Sequence, residues 1–243
     1  MSRRKCVLSR MVLAVLLATG TARADFITNG SFEANVLAAG TKEYFNSGGK
    51  SVVTGWSGGA KLTFLDSPGS ADNGSYLSVY GSFPHVSPDG GNFVEADAAP
   101  TYRGVIYQSV TGLTIGQVYS VSFYQAAGQQ SGFTGPTTEQ WLVGLGTTLA
   151  LSESSTQAST LIKLPSGGVA PWQAQSLDFT ASAVTEVLSF LANGTPDGEP
   201  PIAFLDGVSM NAVPEPSTML LTGIGLISMI AIRARKLRKA AAV

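Results

Sequence analysis

The chain is 243 residues long and only 13% charged, with 28 glycines, a share of about 12% against a usual level near 7%. Its formal net charge of −1 hides an uneven distribution: five of the 15 Lys and Arg lie before residue 25 and five after residue 232, which leaves residues 25–212 with 15 acidic and 5 basic side chains, a net of −10. A surface of that sign repels nucleic acid and anionic membranes, and because the only cysteine is Cys6, disulfides, thiol nucleophiles and cysteine metal sites are excluded from residues 25–212.

Arg3, Arg4, Lys5 and Arg10 flank the start of an apolar stretch, Met11 to Ala18, and Ala22-Arg23-Ala24 supplies small residues ahead of Asp25. This order predicts a signal peptide over residues 1–24, cut by signal peptidase and taking Cys6 with it. Residues 25–212 are then long enough for one domain with a substantial core, and too short for two.

Within that domain, short β-branched and aromatic runs alternate with Gly, Ser, Asn and Pro clusters. Strands are expected over Val52–Trp56, Leu62–Leu65, Tyr76–Tyr80, Val105–Val110, Tyr119–Tyr124, Trp141–Leu145, Ser176–Phe179 and Ile202–Met210. Val105–Val110 and Val118–Tyr124, separated by Gly112 to Gln117, read as the best local strand pair, and Tyr119, Val121 and Phe123 alternate with Ser120, Ser122 and Tyr124 to give an apolar and a hydroxyl-bearing face. Val184, Val187, Leu188 and Leu191 also fit a helix face, but a Gly-rich all-β context favours a strand. Gly40–Lys50 and Gly128–Thr138 read as long polar loops, where ligands are usually met. Many short strands with regular turns predict an all-β, antiparallel β-sandwich.

After the domain comes Val213-Pro214-Glu215-Pro216-Ser217, then an uncharged apolar run from Thr218 to Ile232, then Arg233, Arg235, Lys236, Arg238 and Lys239. Basic residues after an apolar segment hold that end in the cytoplasm, so the upstream domain faces outward. As a helix the run over 218–232 spans about 22 Å, short of the roughly 30 Å hydrocarbon core, which makes it a marginal membrane anchor. The order of a Pro-Glu-Pro motif, an apolar segment and a basic end resembles the PEP-CTERM sorting signals of Gram-negative bacteria. That resemblance assigns residues 213–243 to sorting, implies processing by an exosortase near Pro214, Glu215 and Pro216 with Arg233, Arg235 and Lys236 as the basic stop, and implies export to the cell surface or the exopolysaccharide matrix.

A second resemblance is carried by Asn29-Gly30-Ser31-Phe32-Glu33, Gly55-Trp56, Gly91-Asn92-Phe93-Val94-Glu95, the segment Ile106 to Ala126, and Phe204-Leu205-Asp206-Gly207-Val208-Ser209-Met210. Together they resemble the galactose-binding-like jelly rolls, which include carbohydrate-binding modules. The resemblance implies two packed antiparallel sheets with the first and last segments adjacent, and a structural calcium shared by Glu33 and Asp206. The closing motif departs from the family's frequent pair of adjacent acids, having Gly207 after Asp206. For sugar contact, aromatic rings that stack and planar polar side chains are the relevant groups. Tyr102 and Arg103, in a loop after Pro100, are the best exposed pair, with Tyr124 and Gln129 as further candidates, while Trp56 and Trp141 read as core.

Catalysis finds little support. His85 is the sole histidine, in a turn-rich stretch, and no Gly-x-Ser-x-Gly element frames a nucleophilic serine. Glycoside hydrolysis needs only two carboxylates, for which Glu95, Asp97 and Glu139 are available, although no feature selects them. The sequence therefore reads as a non-catalytic exported protein associating with exopolysaccharide; a glycan-active enzyme and a purely structural surface protein are the alternatives.

Overall fold

The computed structural model describes residues 25–59, 62–149, 156–214, 223–225, 227–230 and 232–233. In chain order the strands are β1 (Lys42–Tyr44), β2 (Asn46–Ser47), β3 (Lys50–Ser51), β4 (Ser57–Gly58), β5 (Thr63–Asp66), β6 (Phe93–Asp97), β7 (Val105–Thr111), β8 (Val118–Gln129), β9 (Thr137–Gly146), β10 (Thr156–Ala158), β11 (Ile162–Leu164), β12 (Val169–Thr180), β13 (Thr185–Thr195) and β14 (Pro201–Ala212). One sheet has the order β1-β5-β6-β14-β8-β12; the other has β10-β9-β13-β7-β4, with β11 on the edge of β9, and β2 and β3 form a small hairpin apart. All registered pairs are antiparallel. This is the antiparallel β-sandwich expected from the composition, in the jelly-roll form that the resemblance implies.

The period-two pattern explains how the sheets face each other. On β8, Tyr119, Val121 and Phe123 point inward, and on β9 Trp141, Val143 and Leu145 meet them, with Phe190 of β13 between. Burying such side chains is worth about 1.5–3 kcal/mol each. The Trp141 indole N–H, which could not be left unpaired in that core, donates to the Phe204 carbonyl at 3.0 Å. Trp56 is also buried, and its Nε1 donates to the Asn29 carbonyl at 2.9 Å.

The opening segment lies beside the last strand. Phe26 N donates to Met210 O at 3.1 Å and Val208 N to Gly30 O at 2.9 Å. A Cβ on Gly30 would stand 1.8 Å from Val208 O, so only glycine allows this approach.

Three local expectations are corrected. Val105–Val110 and Val118–Tyr124 do not pair with each other: β7 pairs β13 and β4, β8 pairs β12 and β14, and the turn between them carries the chain from one sheet to the other. Tyr76–Tyr80 is not a strand; Leu77 holds φ 59°, a conformation outside the β region. Leu77 and Val79 instead point down, with Ala71 and Phe83, onto Phe64, Phe93, Ala126, Ile202 and Phe204, so that the connection 67–92 forms a cover with its own small core over the outer face of the first sheet. Val52–Trp56 is a turn, closed by Trp56 N to Val53 O at 3.1 Å. By contrast, Thr185–Thr195 is a strand, as the composition favoured.

Pro214 lies two residues past the end of β14 and is exposed. Residues 223–225, 227–230 and 232–233 are helical, and Ile224, Ile227, Met229, Ile230 and Ile232 are exposed on them. Among the described residues no helix is long and apolar enough to cross a membrane. The expected signal peptide and the remainder of the segment 218–232 lie outside the described residues.

Candidate functional site

The bulge in β14 brings the two predicted calcium ligands into one neighbourhood. The register against β8 shifts between Asp206 and Ser209, which turns Asp206 toward the stretch 87–92. Its carboxylate accepts hydrogen bonds from Ser87 Oγ and from Gly207 N, the latter at 2.7 Å. Burial pushes its pKa up to about 8, and the negative charges of Asp89 and Glu33 push in the same direction. Glu33 accepts a hydrogen bond from Asn92 N. Gly91 has φ +58°, and a Cβ there would sit 1.8 Å from Glu33 Oε1, so the loop closes on the carboxylate only because this residue is glycine. Carboxylate and carbonyl oxygens are the donors that calcium takes, six to eight at a time. Among the described residues, however, no group of three or more His, Cys, Asp or Glu side chains is arranged to hold a metal ion, so Glu33 and Asp206 would need backbone carbonyls and water to complete a shell.

The other predicted side chains do not share a surface. Tyr102 is 45% exposed, in the turn after β6 where Tyr102 N and Arg103 N both donate to Ala99 O. Arg103 Nη1 donates to Asn193 Oδ1 of β13. Tyr124 lies opposite Asp206 on the outer face of the first sheet, where it lines a cavity of about 280 Å³ with Ser122, Gln175, Ser209 and Asp89. Gln129 is buried; its Nε2 donates to Gly135 O at 3.1 Å and its Oε1 accepts from Gly167 N at 2.5 Å, which spends the amide on holding two loops. Of the sorting residues, Arg233 is exposed on the helical segment. Glu215, Pro216, Arg235 and Lys236 lie outside the described residues.

An open concavity lies partly on the stretch Gly40–Lys50, which was expected as a ligand-meeting loop and carries β1, β2 and the start of β3. A groove of about 760 Å³ runs along the β1 edge of the first sheet, lined by Lys42, Tyr44, Ser47, Val52, Phe64 and Tyr76 among others. Tyr44 and Tyr76 are 49% and 57% exposed. Phe64, buried between them, has its ring centroid 4.4 Å from that of Tyr44 and 5.9 Å from that of Tyr76. The three rings come from β1, from β5 and from the cover, so no window of sequence contains them together. Beforehand, only the aromatic character of each and the place of Tyr44 in the stretch Gly40–Lys50 were visible.

Below the groove lies a buried charge cluster. The register sets Lys42 opposite Asp66 and Glu95 opposite Phe64. Lys42 Nζ pairs with Asp66 at 3.4 Å and with Glu95, and it stands 5.9 Å from the Phe64 ring centroid. Burial raises the pKa of Asp66, and raises that of Glu95 well above the ordinary carboxylate range, with the Asp66 charge adding to the shift on Glu95. Ser70 Oγ donates to Asp66 at 2.7 Å. The other two carboxylates considered for catalysis are also buried: Asp97 is pushed up to about 6 and Glu139 up to about 8, chiefly by loss of water. His85, more than half exposed, pairs with Asp72 Oδ1 at 2.8 Å.

With this geometry in place, residues 212–236 match the family model described as the PEP-CTERM protein-sorting motif. The chain carries that sorting motif. It marks an exported protein, membrane-anchored or associated with the cell surface, and implies processing by an exosortase. No curated protein sequence matches the chain. Among solved structures, the sandwich is similar to the carbohydrate-binding module TmCBM61 in complex with β-1,4-galactotriose, at 14% identity over 78% of this chain and 99% of that one, with a TM-score of 0.41. It is similar also to a CBM4 module, at 18% identity over 77% and 99% of the two chains, with a TM-score of 0.36. A third similarity is to arabinose-bound MgGH51 α-L-arabinofuranosidase, at 16% identity over 78% of this chain and 26% of that one, with a TM-score of 0.44.

Proposed function

We propose that this is an exported surface or matrix protein whose sandwich holds extracellular polysaccharide, without catalysis, in the groove of Tyr44, Phe64 and Tyr76. The observation that carries the reading is the groove itself: two half-exposed tyrosines on either side of a buried phenylalanine, in an open channel with Ser47 and Ser75 at hand for hydroxyl groups. Aromatic faces stack on the C–H face of a sugar ring and a polar rim orients its hydroxyls, while an open channel admits a chain interior as well as a chain end. The sorting motif supports the surroundings, since it delivers the domain outside the inner membrane. Glu33 and Asp206 are proposed to share a structural calcium that pins the first and last segments together.

The glycan-active alternative fares worse on geometry. Paired glycosidase carboxylates flank an open site at about 5–9.5 Å, whereas Glu95 and Asp66 are fully buried, hydrogen-bonded to one another and clamped on Lys42. The test is a pull-down and calorimetric titration with the producer's own exopolysaccharide, comparing the native protein with Tyr44→Ala and Tyr76→Ala. Losing one stacked ring removes roughly 1–2 kcal/mol, or about 5–30-fold in affinity. Unchanged binding in both variants overturns the assignment of the groove, and release of reducing ends by the native protein overturns the non-catalytic reading.

A further inference from the structure

Both ends of the domain leave from one pole of the sandwich. At its start, Asp25 Oδ1 accepts from Met210 N at 3.0 Å and Phe26 packs edge-on to Tyr119 with ring centroids 5.2 Å apart. At its finish, Val213 N donates to Val118 O at 2.8 Å and Val213 O accepts from Gln117 Nε2 at 2.6 Å. The same pole carries two touching turns, 112–117 between β7 and β8 and 181–184 between β12 and β13. They are joined by Leu113 N to Val184 O at 3.1 Å, Gly116 N to Ala181 O at 2.8 Å and Ala181 N to Gln117 O at 3.0 Å.

Neither turn contains a charged residue. Each ends instead in a large apolar side chain held out into solvent: Ile115 is 63% exposed and Val184 59%. Other exposed aliphatics of the domain, Val36, Val52, Val86, Leu149 and Leu161, lie elsewhere, but Ile115 and Val184 stand on adjoining turn tips beside the point where the anchor departs, which gives this pole a surface fitted to lipid. Of its nearest acids, Glu186 is buried and takes hydrogen bonds from Ser182, Asp25 is held by Ile27 N and Met210 N, and Asp178 lies opposite Ser120, two residues back from the end of β12.

The chain length settles how near the membrane must be. From Val213 to the first residue of the apolar run, Thr218, there are five residue steps, a reach of at most about 17 Å. The headgroup layer is about 5–8 Å deep on each side, and an apolar run of about 22 Å is shorter than the hydrocarbon core it enters, so its flanks are drawn toward the bilayer. We infer that, while the tail is in place, the pole of Ile115 and Val184 rests on the outer leaflet of the membrane and inserts both side chains, with the opposite pole, bearing Tyr102 and Arg103, turned outward. This inference rests on the sorting tail and not on what the groove holds.

The absence of cysteine from residues 25–212 makes the test direct. The chain without residues 1–24, which has no cysteine, is reconstituted into vesicles of zwitterionic phosphatidylethanolamine and phosphatidylcholine, which do not repel its net negative charge, with a polarity-sensitive dye at Ile115→Cys, Val184→Cys, Tyr102→Cys or Ile227→Cys. The expected result is a blue shift and loss of emission to headgroup-proximal nitroxide lipids at 115 and 184, loss to deep nitroxides at 227, and no response at 102. The inference is overturned if 115 and 184 behave as 102 does, if 102 is quenched as strongly as they are, or if 227 is not quenched and the tail is therefore not in the bilayer. No polysaccharide is present, so failure here leaves the groove assignment standing, and failure of the groove leaves this result standing.

Discussion

Replacing Lys42 with methionine should cost the fold about 3–5 kcal/mol at neutral pH, the usual penalty for breaking a buried ion pair by removing one partner. Lys42 is only 8% exposed at its side chain, and the Asp66 and Glu95 carboxylates it serves are fully buried. At the 3.4 Å separation from Asp66, a unit-charge attraction is worth about 5 kcal/mol gross at an effective dielectric near 20. The thioether side chain fills a similar volume, so a cavity contributes little. What is lost is the cation: Glu95 and Asp66 would hold one proton between them, and the remaining negative charge would rest on Ser70 alone. The pH dependence has a definite sign. Both carboxyls already have raised values in the folded state, with Lys42 among the causes that lower them. Removing it raises both further, so the folded variant takes up protons that its unfolded chain releases, and stability falls as pH rises above the unfolded carboxylate range near 4. Urea unfolding followed by tryptophan emission at pH 4 and pH 7 reads this directly, with Lys42→Met/Asp66→Asn/Glu95→Gln expected to recover most of the loss at pH 7. A cost below about 1 kcal/mol at pH 7, or a cost that grows on acidification, would refute the account, since an exposed pair is worth no more than that.

Glu139 gives a simpler titration. Burial lifts it to about 8 with no charged partner, opposed only by the Thr137 side chain. Its folded value is above its unfolded one, so it favours the fold at acid pH and the contribution is lost as pH climbs from about 4.5 through 8, by at most about 5 kcal/mol. Glu139→Gln should flatten that slope in thermal melts run across pH 5 to 9, and a native curve with no decline over that window would disprove it. For the proposed calcium, ionising Asp206 against its raised value of about 8 means that binding releases a proton at pH 7. Calorimetry in buffers of different ionisation enthalpy should therefore show a buffer-dependent heat, absent in Asp206→Asn. Calcium at 100 times its dissociation constant would stabilise the fold by about 2.7 kcal/mol, so a melting temperature unmoved by EDTA counts against the site.

What the amino-acid sequence determined by itself is what depends on neighbours along the chain. The alternation of Tyr119, Val121 and Phe123 with Ser120, Ser122 and Tyr124 made a half-buried strand legible, because strand side chains alternate whatever the partner strand. The order of Pro214, an apolar run and a basic end made the sorting tail legible, because that signal is linear. Even so, periodicity misread Tyr76–Tyr80, where Leu77 and Val79 are apolar because they cover a sheet and not because they belong to one. Only the tertiary structure decided which strands pair. β7 and β8 are neighbours in sequence and lie in different sheets, since each apolar face needed an opposing layer more than a hairpin partner. The groove follows from the same cause. Tyr44 meets Phe64, and Lys42 reaches Asp66 and Glu95, because the register of β1, β5 and β6 places them side by side, while the cover brings Tyr76 to Phe64. A shift of one residue would turn every one of those side chains to the other face, and register between distant segments is set by packing that no local stretch of sequence records.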